Sequence, residues 1–271
     1  MTTAAVAKED LLDLSPGEIR ALTRERRWTG GTEGLARGCA QANLVIVPQE
    51  AAFDFLLFCQ RNPKPCPIVE VTDPGSPLVR LVARDADLRT DLARYCVYEG
   101  GACVDEPEDI TDYWRDDLVG FLIGCSYSFE TALLNANIPL RHLEEDKIVS
   151  VYTTNVPCEP AGRFEGPMVV SMRPIRREQV VRAIQVTSRF PATHGAPVHI
   201  GDPSVIGIDD LDDVDFETGR VEIGPGEVPL FWGCGCTPQA AAMKAGLDFM
   251  IAHKAGHLFI TDTLSEEIAA L

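Results

Sequence analysis

The sequence predicts an α/β protein: a largely parallel sheet covered on both faces, interrupted by a smaller two-layer α+β segment. Three observations predict it. Apolar runs of strand length alternate with helical segments at both ends of the 271-residue chain, a grammar typical of parallel sheets. The middle changes texture to strands and one helix in close succession. The hydrophobic fraction, 45%, suffices for a substantial core. We therefore expect a main domain from residues 1–140 plus 206–271 and an insert from 141–205.

Taken in order, Ser15 caps a first helix, with Pro16 at its first position and Glu18 completing a capping box ahead of Ile19 and Leu22. Gly30, Gly31 and Gly34 end that region. Ala42 to Pro48 has strand length, and the crowded apolar residues from Glu50 to Gln60 predict a buried helix. Leu118 to Gly124 predicts a strand, Cys125 and Ser126 a tight turn, and Ser128 to Asn135 a helix. Within the insert, Lys147 to Thr154, Pro167 to Met172 and Ala196 to Ile200 are strands, and Val180, Val181 and Ile184 share the face of a helix over Arg177 to Val186. Asp209 to Glu217 is an acidic connector that lacks the glycine and closing glutamate of an EF-hand loop. Val228 to Trp232 returns to the main sheet, a Gly233 to Cys236 turn follows, and Thr237 is expected to cap a helix begun by Pro238. A loop from His253 to His257 leads to the last strand, Leu258 to Thr261.

Composition removes several function classes. No apolar run of about 18 residues predicts a membrane span, and residues 1–14 lack the apolar core of a secretory signal, so a cytoplasmic location is expected. Asp and Glu number 41 against 24 Lys and Arg, a net charge of −17, and the basic residues are dispersed. Such a surface repels phosphate backbones and anionic lipid, so neither nucleic acid nor membrane is an expected partner. The nine cysteines are irregularly spaced and read as small buried hydrophobes; Cys234 and Cys236 sit too close for ordinary zinc spacing.

Within this acidic chain a carboxylate ligand needs a local positive pocket. Arg173 and Arg189 fall near His194, His199 and Asp202 in sequence, and guanidinium groups bind carboxylates bidentately. His194 and His199, in a glycine- and proline-containing loop, suit acid–base work near neutral pH. The spacing of His253 and His257 occurs in metal sites, but Gly256 opposes a helix there and no glutamate follows His253. Cys125 and Ser126 on one corner, and Gly233, Cys234 and Thr237 on another, place small residues at strand-to-helix junctions, where helix N-termini lower thiol pKa values and bind anions.

Taken together, several segments resemble the D-glutamate cyclase family of hydro-lyases: Phe121 to Glu130, Tyr152 to Asn155, Gly166 to Pro174, Thr187 to Arg189, His194 to Pro203, Gly226 to Cys234, Thr237 to Gln239 and His253 to His257. The resemblance spans Gly17 to Asp262, departing at Ala255, where the family pattern has proline, and at Cys236, where it has an apolar residue. It implies a three-layer α/β sandwich with an inserted two-layer domain, and elimination of water, by analogy from D-glutamate to give 5-oxo-D-proline. On the matched motifs, lactam closure assigns Arg173 and Arg189 to carboxylates, His194 or His257 to proton transfer, and the amides at Cys125, Ser126, Gly233 and Cys234 to an oxyanion. Glu130 and Asp202 orient a histidine or the amine, while Asn155, His199, Thr237 and His253 complete the substrate contacts. This chemistry requires no cofactor, and homodimerisation stays open. Two alternatives remain: a metal-assisted hydro-lyase using His253 and His257, and a non-catalytic carboxylate- or lactam-binding protein.

Overall fold

The computed structural model describes residues 5–270, so residues 1–4 and 271 of the expected main domain lie outside the described part. Along the chain, helix α1 (Pro16–Arg24) precedes strand β1 (Cys39–Pro48) and helix α2 (Gln49–Arg61). Five short strands follow: β2 (Ile68–Val71), β3 (Leu78–Val79), β4 (Ala86–Asp87), β5 (Tyr95–Glu99) and β6 (Ala102–Asp105). Next come β7 (Leu118–Gly124), a 3-10 turn (Ser126–Phe129), α3 (Glu130–Asn135) and α4 (Arg141–Glu144). Then β8 (Ser150–Pro157), β9 (Pro167–Arg176), α5 (Val180–Ser188), β10 (His199–Ile200) and β11 (Glu227–Gly233) form the second half. The chain closes with α6 (Cys236–Lys244), β12 (Met250–His253) and β13 (Phe259–Leu264).

The result is a mixed α/β protein whose sheets are antiparallel, which corrects the parallel sheet expected from the sequence. One sheet runs β2-β7-β1-β12-β5-β6 with β13 also paired to β1, and all of its pairings are antiparallel. The continuous apolar runs that suggested a parallel sheet arise because both faces are covered. Val45, Val47, Phe121 and Ile123 point to one face, against Phe55 and Phe58 of α2 and Ala241 and Ala242 of α6. Leu44, Ile46, Leu122 and Val97 alternate to the other, under Val79, Val82, Leu88 and Ile110. Helices cover the first face; the second is roofed by the short β3–β4 hairpin and its flanking loops.

A second sheet runs β10-β11-β9-β8, again antiparallel. Its strand β11 was expected in the main sheet; instead Trp232 pairs with Ser171 and Leu230 with Arg173, so this sheet draws a strand from beyond residues 141–205. On one face Ile175, Leu230 and Trp232 pack against Phe129, Leu133, Ala183 and Phe190 of the α3 and α5 regions. That packing carries Ser171 and Arg173, which alternate with buried Val170 and Met172, toward α3.

Local signals fare well at the start of α1, where Ser15 and Glu18 form the expected capping box. They fail at α6. Gly235, not Thr237, is its N-cap, because the Thr237 hydroxyl is committed to β9: it accepts from the Val169 amide at 2.9 Å and donates to the Val169 carbonyl at 3.2 Å. A Cβ on Gly235 would lie 2.0 Å from Asn43, so glycine lets this corner approach β1. His253 ends strand β12 rather than opening a loop.

Candidate functional site

Where the two sheets meet, the 3-10 turn after β7 and the start of α3 face β9. Arg173, 1% exposed, reaches from β9 to Glu130, 4% exposed; its Nε and Nη2 donate to Glu130 Oε1 at 3.0 and 2.5 Å. The same Nη2 donates to Ser126 Oγ at 2.9 Å and Nη1 to Ser171 Oγ at 3.2 Å. The Phe129 and Trp232 rings flank the guanidinium at 5.3 and 5.5 Å. His142, buried and stacked on Tyr127, places Nε2 3.0 Å from the same Glu130 oxygen, though not aligned as a hydrogen bond. Burial opposes ionisation of Glu130, but His142 and Arg173 outweigh it and hold the carboxyl below its usual range.

Ser126 also lines a narrow cavity of about 30 Å³, together with Asn43, Cys125, Cys234, Cys236 and His253. With one lone pair fixed by Arg173, the Ser126 hydroxyl is left to donate, either to Ser171 Oγ at 3.5 Å or into the cavity. His253 is fully buried, its Nδ1 lies 3.2 Å from both the amide and the carbonyl of Leu44, and its Nε2 has no partner. Burial lowers its pKa to about 4, so the imidazole is neutral. Asn43 donates to the Ile123 and Gly124 carbonyls at 3.2 and 3.3 Å, tying the end of β7 to β1.

The corner residues act differently from expectation. Burial pushes the Cys125 thiol up to about 12, the opposite of a helix-activated thiolate. The Cys125 amide donates to the Gln41 carbonyl and the Cys234 amide to the Val169 carbonyl, so neither is available to an oxyanion. Cys234 is the thiol that moves down, because Cys236 donates to its sulfur. At Gly233, a Cβ would stand 3.2 Å from the Lys64 carbonyl oxygen and Pro65, so the glycine serves close packing.

Among the other sequence-predicted residues, His194 lies near this centre. It is 1% exposed, its Nδ1 is 3.0 Å from the Lys64 carbonyl, its Nε2 is unpartnered, and burial lowers its pKa to about 4. His257 is half-buried with Nδ1 2.9 Å from the Ala255 carbonyl, and burial lowers its pKa too. The remaining expected residues face solvent or pair locally. Arg189 is on the surface, paired with exposed Glu266 at 2.7 Å, because α5 ends in solvent. Asp202 is exposed and caps its own turn through Ser204, and His199 Nε2 bonds the Asp202 carbonyl at 2.6 Å. Asn155 is exposed on β8. Among the described residues, neither His253 nor His257 belongs to a group of three ligand-type side chains within reach of one ion. The sequence alone did not single out Asn43, His142 or Ser171; Asn43 and Ser171 did leave a signal, each a polar residue inside an apolar strand.

Comparison with known proteins adds the lineage of this constellation. The profile described as D-glutamate cyclase matches residues 119–262, which contain Ser126, Glu130, Arg173 and His253. Relatives of the same length support it: one from Bacillus licheniformis is 58% identical over 96% of this chain and 98% of its own. Another from Thermoanaerobacter sp. (strain X514) is 59% identical over 95% and 97%, and one from Bacillus subtilis (strain 168) is 55% identical over 95% and 100%. All three bear the name "Putative hydro-lyase". The chain belongs to the D-glutamate cyclase family. Among solved structures, a nitrogen repressor-like protein from Methanococcus jannaschii aligns at 10% identity, covering 90% of this chain and 97% of its own, with a TM-score of 0.39.

Proposed function

We propose that the protein is a carbon–oxygen lyase that closes D-glutamate to 5-oxo-D-proline with loss of water, with its reactive centre at Ser126, Arg173, Glu130 and His253. The observation that carries this reading is the buried Arg173–Glu130 pair holding Ser126 at the wall of a cavity that is also lined by His253, whose Nε2 is unpartnered. Family membership supplies the reaction class, and names of the relatives agree with it.

In the forward direction the C–N bond forms between the α-nitrogen and the γ-carbon, and one γ-carboxyl C–O bond breaks. In the tautomer whose Nδ1–H donates to the Leu44 carbonyl, rather than the one whose Nδ1 accepts from the Leu44 amide, His253 Nε2 accepts a proton from the substrate ammonium and, with its pKa lowered to about 4, relays it rather than holding it. The freed amine attacks the γ-carbon, and the Ser126 hydroxyl, oriented by Arg173, donates to the developing oxyanion. An imidazolium destabilised by burial is a ready acid, so His253 returns its proton to the departing oxygen. The second nitrogen proton follows, and oxygen leaves as water. Glu130 balances the arginine charge throughout.

The cavity has room for about one water. Substrate therefore enters as the 254–257 segment parts from Ile148, against which Gly256, at φ +77°, is closely seated. We further place the enzyme in the cytoplasm, as a three-layer sandwich bearing an inserted two-layer domain; no helix among the described residues is long and apolar enough to cross a membrane.

The test is incubation with D- and L-glutamate and their lactams, followed by mass. Expected is interconversion of the D-pair, lowered about 10²- to 10⁴-fold in Ser126→Ala and His253→Gln. Undiminished turnover in both variants removes this centre from the reaction, and no mass change with any substrate removes the cyclase reading.

A further inference from the structure

The largest cleft among the cavities described, about 450 Å³, is lined neither by Arg173 nor by Glu130, and meets the reaction described above only at Lys254 and Ala255 of the segment that parts for substrate. Cys96, Tyr98, Cys103, Glu106, Gln239 and Lys254 contribute to its wall. The hairpin of β5 and β6 builds this wall. Cys96 and Tyr98 share a strand face, and the register sets Cys103 opposite Tyr98, so both thiols project to the same side. Glu106 follows at the end of β6. The two sulfurs and a Glu106 carboxylate oxygen all lie within 4.8 Å of one another, and this is the one such trio of ligand types among the described residues.

We propose that Cys96, Cys103 and Glu106 form a binding site for a thiophilic divalent cation, Zn²⁺ by its ligand chemistry, with its fourth position open to the cleft. Two thiolates and one carboxylate are a borderline-soft set that suits Zn²⁺ and not the oxygen-seeking Mg²⁺ or Ca²⁺. Tetrahedral zinc, with bonds of about 2.3 Å to sulfur and 2.0 Å to oxygen, places its ligand atoms roughly 3.5–3.8 Å apart. From separations of no more than 4.8 Å, closing onto the ion takes at most about 1 Å between any two ligand atoms, and Cys103 sits on an exposed strand that permits it.

Charge agrees with this assignment. Lys254 Nζ holds Glu106 Oε2 at 2.5 Å and Glu217 at 3.2 Å, which leaves the other Glu106 oxygen for the ion. Two thiolates, Glu106 and Glu217 are offset by one dication and the shared Lys254 ammonium to within one negative charge, against three with the ion removed. Three protein ligands and an open position facing a roomy cleft describe a site that binds an exogenous small ligand or a water, unlike the closed four-ligand set of a structural zinc.

The test uses the reduced full-length protein and Co²⁺ as the probe, titrated alone and followed by absorption. Expected is one equivalent per chain with a thiolate-to-cobalt band in the near ultraviolet and tetrahedral visible bands, all displaced by Zn²⁺. Cys103→Ser, at an exposed position that leaves the fold intact by circular dichroism, should lose the charge-transfer intensity and weaken Zn²⁺ binding by at least about tenfold. Cys39→Ser should change neither. Absence of the bands in the wild type, or their survival in Cys103→Ser, overturns the site. Because the readout is spectroscopic, it is independent of whether the lyase reading holds.

Discussion

Removing the Glu130 carboxylate should be among the most destabilising single changes available in this protein. Glu130→Ala leaves the Arg173 guanidinium, 1% exposed, with only the Ser126 and Ser171 hydroxyls as acceptors and no counter-charge within the flanking Phe129 and Trp232 rings. Breaking a buried pair by deleting one partner costs about 3–5 kcal/mol, because the remaining charge stays desolvated. The two serines place this case at the lower end, about 3 kcal/mol, or roughly 6–12 °C in Tm for a chain of this size. Glu130→Gln keeps one acceptor and should lose about half as much. The double variant Glu130→Met/Arg173→Met removes both charges and should recover most of the stability while abolishing activity. Denaturant titrations of the four proteins provide the assay. If Glu130→Ala unfolds within 1 kcal/mol of the wild type, Arg173 is not held by Glu130 as described.

Acid should weaken the fold through His194 and His253, each lowered to about 4 by burial. The unfolded chain protonates them near pH 6.5 and the native state resists until about pH 4, so their stabilisation is complete above pH 6.5 and falls as pH drops through that window. The loss between pH 7 and 5 is about 2 kcal/mol per histidine, and a denaturant midpoint that stays level across that range would contradict it. In pulsed alkylation read by mass, Cys103, which is exposed, should label first, whereas Cys125, buried with its thiol pushed up to about 12, should stay unlabelled in the native state. Arg189→Ala should shift stability by under about 1 kcal/mol and leave turnover unchanged, since the Arg189–Glu266 pair is more than half exposed on both sides. A large loss of activity there would return Arg189 to the substrate.

Much of the secondary structure was written locally. The capping box at Ser15, the apolar runs of β1, β7, β9 and β11, and the crowded helix α2 all stand close to where periodicity placed them. Strand direction was not legible, because a strand buried on both faces reads the same whether its neighbours run parallel or antiparallel. Nor were β2 to β6, two to five residues long and set among prolines and charges. At the site, composition could single out Arg173 as a scarce cation, but its partner 43 positions away is a matter of tertiary packing. Arg189 looked equivalent in sequence, and only the end of α5 in solvent separates the two.

The register of β1 sets a boundary on how this chain can be dissected. β1 lies between β7 and β12, pairing with both, yet residues 39–48 precede the 119–262 segment that the family profile recognises. Excised at the profile limits, that segment would keep β7, β12 and β13 of the first sheet without any of the strands they pair with, leaving Phe121 and Ile251 uncovered. Unpaired strands of this kind recruit strands from other copies, so the excised half should self-associate.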